Sequence, residues 1–237
     1  MARKEKDRQS KVILITGAGS GIGRAAAIKL FNVGNRIALV SRSEGRLREL
    51  SKMLDGSMYV VCDVSKSDAV EGAVRRVVGK YGRIDVLVNC AGIWIEGELE
   101  ANDPEKLREA VEVNLLGQMY ASKYVIPVMK NQKSGIIINI ISQAGLYAKS
   151  ERGPYTATKF GLVGLTKSME PELKKYGIRV SGIYPGKTNT RLFSTAGIEK
   201  EMDNAIAPED VAEAIEFIIS RPDSVTISEL GIKHIDS

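Results

Sequence analysis

Histidine is nearly missing from this chain. His234 is the only one in 237 residues, and it stands close to the C-terminus. With no second histidine or carboxylate cluster beside it, it reads as structural or exposed, which leaves no basis for a histidine-based mechanism. Cysteine is almost as scarce. Cys62 and Cys90 cannot by themselves make a disulfide framework or a zinc site, so no metal is expected. Each falls near the end of an apolar run of strand length, where a small buried residue belongs. Long hydrophobic runs are also absent. The longest, from Ile136 to Ile141, is broken by Asn139 and is far shorter than the roughly 20 residues that span a bilayer. No membrane role is expected. The opening Met1-Ala2-Arg3-Lys4-Glu5-Lys6-Asp7-Arg8 is charged and has no signal-peptide apolar stretch behind it. A cytoplasmic protein with a flexible, solvated tail over 1–10 is the expectation. There is no basic helix interleaved with aromatics, so nucleic acid is not an expected partner. The net charge of +5 nevertheless suits anionic ligands.

What is present is ordinary in bulk and regular in order. Hydrophobic residues are 43% of the chain and charged residues 27%, as in soluble globular proteins. The length suits one α/β domain, expected over 11–237. Short apolar runs at 11–16, 36–41, 58–63, 84–89, 135–142, 179–184 and 224–231 alternate with helical stretches at 21–31, 44–54, 67–81, 104–131, 153–176 and 209–220. Continuous apolar strands separated by helices predict a mostly parallel, doubly wound, seven-stranded sheet of Rossmann type, covered on both faces. The one long stretch without a period, about 187–207, is a candidate substrate loop.

Three local patterns carry chemistry. The first strand runs into Thr16-Gly17-Ala18-Gly19-Ser20-Gly21-Ile22-Gly23 and then directly into a helix. Glycines there let the backbone turn tightly and approach a pyrophosphate, which faces the positive helix end. The second strand ends in Ser41-Arg42. An acidic residue at this point would select NAD; a guanidinium can clamp a 2′-phosphate, so NADP(H) is expected over NAD(H). The alternative for Arg42 alone, a solvated loop residue, is the weaker reading. Finally, Tyr155 and Lys159 lie four residues apart, on one helix face. A nearby cation lowers the pKa of a phenol and brings it towards acid–base work at neutral pH. Such a pair is common by chance on solvated helices, and its meaning comes from its company.

That company resembles the short-chain dehydrogenase/reductase family. The glycine turn, Asn89-Cys90-Ala91-Gly92, Asn114, Ser142, the Tyr155/Lys159 pair and Pro185-Gly186 fall in the family's order and spacing over about 11–231. The resemblance implies four catalytic residues. Tyr155 would exchange a proton with the substrate oxygen, and Ser142 would hydrogen-bond that oxygen. Lys159 would lower the Tyr155 pKa and hold the nicotinamide ribose, while Asn114 would hold a water relaying protons to Lys159. For the cofactor it implies Gly17, Gly19, Ser20, Gly21, Ile22 and Gly23 at the phosphates. Ser41 and Arg42 would lie at the adenosine ribose, with Asp63 and Val64 at the adenine. Asn89, Ala91 and Gly92 would line the cofactor beyond, and Pro185, Gly186, Thr188 and Thr190 would sit at the carboxamide.

The activity so implied is NADP(H)-dependent interconversion of a carbonyl and a secondary alcohol. Cys90 stands where a second asparagine is common, and Thr188 where the family is often apolar. The C-terminal stretch lacks the Asp-Gly-Gly ending frequent among acyl-thioester reductases, which tilts the expectation towards 3-hydroxy-acid and carbonyl reductases. A 3-oxoacyl-thioester reductase remains an alternative, followed by a sugar or steroid alcohol dehydrogenase and, last, a non-catalytic dinucleotide sensor. The substrate pocket is expected around Trp94, Gln143, Tyr147, Ser142 and Tyr155. Lys149, Arg152, Lys187 and Arg191 are each candidates to meet a substrate carboxylate and each also an ordinary surface residue. A homo-oligomer, in particular a tetramer, is expected from the family's habit of pairing long helices.

Overall fold

The computed structural model describes residues 10–236, so nearly all of the expected flexible tail lies outside the described residues. Seven strands form one parallel sheet: β1 Val12–Thr16, β2 Arg36–Ser41, β3 Met58–Val61, β4 Val86–Asn89, β5 Gly135–Ile140, β6 Ile178–Pro185 and β7 Glu229–Ile232. Among the described residues eight α-helices accompany them: α1 Gly21–Asn32, α2 Glu44–Met53, α3 Ser67–Tyr81, α4 Pro104–Val111, α5 Gly117–Gln132, α6 Gly153–Lys174, α7 Leu192–Thr195 and α8 Pro208–Ile219. The strand order β3-β2-β1-β4-β5-β6-β7 makes the sheet doubly wound. The chain travels outward from β1 to β3, then crosses back to β4 on the other side of β1. A crevice opens between the carboxyl ends of β1 and β4, where the winding reverses.

Alternation along each strand divides the core in two. Ile13 and Ile15 of β1 face a layer with Leu30 of α1, Leu47 and Leu50 of α2, and Ile215 of α8. Val12 and Leu14 face the other way, onto Val74 and Val77 of α3, Val125 and Met129 of α5, and Leu173 of α6. Both faces of β1 are thus dry, which is why the strand reads as an unbroken apolar run.

The structure departs from the sequence reading in three elements. The single helix expected over 104–131 is two helices joined by a five-residue π-helical turn, Glu112–Leu116, with Asn114 at its centre. The final strand, expected over 224–231, is only Glu229–Ile232. The preceding segment is gathered by a buried side chain instead of a sheet ladder: Arg179 donates to the carbonyl of Val225 at 2.8 Å and to those of Arg221 and Pro222 at 3.4 Å. The expected loop at 187–207 contains α7 and a bridge between Thr188 and Ile206, which pins its two ends together.

Candidate active site

At the end of β1 the chain must turn under its own helix. Gly17 takes φ 68, and a Cβ there would lie 2.8 Å from the Ala91 amide nitrogen. The neighbouring Thr16 Oγ1 accepts from the amides of Cys90 at 3.1 Å and Ala91 at 3.3 Å. The ends of β1 and β4 are therefore stitched together with no space for a side chain. Gly21, at φ 51, opens α1 and faces Thr190, whose Cγ2 would lie 3.0 Å from an added Cβ. Thr190 belongs to the segment after β6. The glycine turn thus forms one wall of the crevice and the 187–207 segment closes over it.

Tyr155 and Lys159 rise from the first turns of α6 and are both nearly fully buried. The Lys159 Nζ donates to the Ile140 carbonyl at 3.2 Å, at the end of β5, and lies 5.5 Å from the centre of the Tyr155 ring. The nearby Ser142 hydroxyl favours the charged form of the Tyr155 phenol. Ser142 Oγ also accepts from the Ala144 amide at 3.1 Å. Its backbone sits at φ 152, a conformation that L residues rarely adopt, held where the strand gives way to a short turn. Asn114, wholly buried, holds the chain after β4: its Oδ1 accepts from the Ile93 amide at 2.7 Å and its Nδ2 donates to the Ile93 carbonyl at 3.0 Å. The same amide reaches Thr158 Oγ1 at 3.4 Å, which ties the π turn to α6.

The electrostatics correct one expectation. Burial pushes the Tyr155 phenol up to about 12, with the nearby Ser142 hydroxyl and the Arg152 charge pulling the other way. Lys159 is not among the groups lowering it. Burial also brings the Lys159 ammonium down to about 8. The reason is common to both: a dry site penalises whichever form is charged. The same effect lifts the thiols of Cys62 and Cys90 to about 11 and about 12, so neither is a thiolate nucleophile at neutral pH.

A cavity of about 990 Å³ runs from the glycine turn to Tyr155, near the upper end of what ligand sites enclose. Gly17 and Gly19 through Gly23 line its first part, with Ser41 and Arg42 beside them. Gly92, Ser142, Tyr155 and Lys159 line it too, as do Pro185, Gly186, Thr188 and Thr190. Trp94, Gln143 and Tyr147 lie at the same end as Tyr155. Five expected residues do not line it: Asp63, Val64, Asn89, Ala91 and Asn114. Asp63 accepts from the Ser65 amide at 3.0 Å, capping the turn after β3. Val64 is buried against the second core layer, and Ala91 packs onto the same layer. Asn89 is fully buried and donates to Asn139 at 2.9 Å and Ser122 at 3.3 Å, so it joins β4, β5 and α5. Its role in the fold is internal bonding rather than lining.

Arg42 is half-exposed and pairs with Glu109 at 3.4 Å across the mouth of the crevice. Sequence reasoning missed Arg46. One turn into α2, it lines the cavity beside Gly19 and has no ion pair or hydrogen bond among the described residues. The signal was available, since Arg42 and Arg46 share an i, i+4 spacing. Sequence reasoning also missed how Trp94 is held. Its ring lies 4.4 Å from that of Tyr155 and 4.8 Å from that of Phe193. Its Nε1 donates to Glu96 at 2.9 Å, and Lys200 donates to both oxygens of the same carboxylate at 3.0 and 2.9 Å. Four segments meet there, so no local pattern could announce it.

The donor set fits a dinucleotide. A glycine cradle admits backbone against phosphate, cations stand at one end, and a hydroxyl pair with an ammonium stands at the other. Fold and site together define an oxidoreductase of the nicotinamide-dependent Rossmann class. The short chain dehydrogenase family model matches residues 11–201, and the chain belongs to that family. An uncharacterized oxidoreductase of Staphylococcus saprophyticus is 35% identical over 234 residues, covering 96% of this chain and 98% of that protein. Among solved structures, an alcohol dehydrogenase from the archaeon Thermococcus sibiricus, complexed with 5-hydroxy-NADP, superposes with a TM-score of 0.90 at 29% identity, over 97% of this chain and 98% of that one. A 3-ketoacyl-(acyl-carrier-protein) reductase from Brucella melitensis, complexed with NADH, gives 0.89 at 30% identity, over 94% and 97%. No helix among the described residues is long and apolar enough to cross a membrane.

Proposed function

We propose that this short-chain dehydrogenase interconverts a carbonyl and a secondary alcohol with NADP(H). One observation carries the reading: the buried Tyr155 phenol, with Ser142 and Lys159, lines the same cavity as the glycine turn. The bound nicotinamide supplies or accepts the hydride. The protein's residues do the rest. Ser142 and Tyr155 donate to the carbonyl oxygen and stabilise the charge that grows there. Tyr155 gives its Oη proton to that oxygen, as a phenol raised by burial is still protonated at pH 7. Lys159, held by the Ile140 carbonyl, would offer its remaining donors to the nicotinamide ribose of a bound cofactor. Asn114 keeps the segment after β4 against α6. Trp94, packed at a tilt against Tyr155, excludes water from one side of the reacting carbonyl.

Arg42 and Arg46, with no acidic residue at the end of β2, support a 2′-phosphate at the adenosine end. The Thermococcus protein carries an NADP derivative and the Brucella protein NADH, so the reading rests on the residues of this chain. Steady-state kinetics test the assignment: kcat/KM is expected to be higher with NADPH than with NADH, and Arg42→Ala should cost about tenfold or more with NADPH alone. Equal loss with both cofactors contradicts it. Among substrates, a 3-hydroxy-acid or small carbonyl compound fits the expectation from the C-terminal stretch better than an acyl thioester. NADPH consumption over 3-oxo acids, acyl thioesters, sugars and aromatic ketones separates them. The protein is also proposed to be a cytoplasmic homotetramer with no macromolecular partner.

A further inference from the structure

The substrate end of the cavity holds more positive charge than this reaction uses. Of the four cations singled out in the sequence, the structure separates one. Lys187 is spent within its own loop, donating to the carbonyl of Glu201 at 3.2 Å and to that of Asp203. Lys149 and Arg191 are exposed. Arg152 is different: its side chain is only 28% exposed, it lines the cavity, and its guanidinium carbon lies 5.4 Å from the centre of the Trp94 ring. It sits three residues before Tyr155, at the entrance to α6, and its charge acts on the Tyr155 phenol.

The carboxylate it pairs with, Glu96, does not satisfy it. Glu96 receives two hydrogen bonds from Lys200 and one from Trp94, while Arg152 reaches it only through Nε, at 3.5 Å. The two terminal amino groups of Arg152 have no hydrogen-bond partner among the described residues. Two cations therefore share one anion in a largely desolvated corner, and a planar fork of donors is left over. A carboxylate is the ligand that matches such a fork in shape and charge.

Resting on the reading that Tyr155 protonates a substrate carbonyl, we propose that Arg152 binds the carboxylate of an oxo-acid substrate and so makes the enzyme specific for anionic over neutral carbonyl compounds. Arg152 and Tyr155 then hold the two ends of one short molecule. Glu96 has the supporting task of occupying Lys200 and orienting the Trp94 ring, against which the carbon chain lies.

The test compares acetoacetate with its methyl ester, using the full-length enzyme and saturating NADPH. The expected wild-type preference for the acid is about tenfold or more in kcat/KM. Arg152→Met should erase that preference through the KM for the acid, and Arg152→Lys should restore part of it. Any effect of the guanidinium on the phenol falls equally on both compounds, so the acid-to-ester ratio isolates the carboxylate contact. A wild-type ratio near one, or an unchanged ratio in Arg152→Met, overturns the proposal. A second readout needs no turnover. Trp94 is the chain's only tryptophan, so its fluorescence should change saturably with acetoacetate, less with the ester, and not with acetoacetate in Arg152→Met. If binding behaves so but no carbonyl compound is reduced, the carboxylate site stands and the proposed reaction falls. If neutral ketones are reduced but the acid neither binds nor is preferred, the reverse holds.

Discussion

Tyr155 and Lys159 were legible as a pair because they are neighbours on one helix face; their titration was not, because it depends on burial that only the fold creates. A cation beside a phenol predicts a lowered phenol. The observed site is dry enough that the phenol rises to about 12 and the ammonium falls to about 8. The consequence is a pH dependence carried by the lysine. A lysine in water keeps its proton to about pH 10. Here the charge is lost as pH rises through about 8, and with it the ammonium's hold on the ribose. The account predicts that kcat/KM for reduction falls above about pH 8, mainly through weaker NADPH binding. A profile flat to pH 10 would contradict it. Arg152, Glu96 and Lys200 show the other limit of sequence reading at this scale: each was visible as a charge, and their convergence on Trp94 was not, since they come from separate segments.

At the scale of elements, the alternation of apolar runs and helical stretches was enough to give the sheet, because each parallel strand is buried on both faces. Two elements escaped it for physical reasons. The π turn at Glu112–Leu116 has no breaking residue. What holds Asn114 at its centre in place is bonding to Ile93 and Thr158, far away in sequence. Residues 224–228 have the composition of a strand, yet their carbonyls are claimed partly by Arg179. That side chain is 8% exposed and bonds three carbonyls across the 221–225 turn. Arg179→Met should therefore destabilise the protein by about 1–3 kcal/mol, visible as a lower Tm, because the carbonyls lose charged donors. Since Arg179 lies outside the cavity, kcat should be unchanged. Loss of activity without loss of stability would show that the residue does something else.

For the whole molecule, the crevice at the reversal of winding does what doubly wound sheets generally do: it gathers strand ends from distant parts of the chain into one ligand site. The expected tetramer belongs to this scale. Phe160 on α6 and Val111 at the end of α4 are large apolar residues left substantially exposed, on helices that the family's pairing would cover. Light scattering should give four times the chain mass of 25.8 kDa, and a clean monomer would refute the assembly. The central claim is narrower and concerns the Tyr155 phenol. The most direct test is Tyr155→Phe, with turnover and NADPH affinity measured on the same preparation. The account predicts a loss in kcat of about a hundredfold or more with NADPH affinity nearly intact, whereas Lys159→Ala loses both. Wild-type kcat in Tyr155→Phe would contradict it.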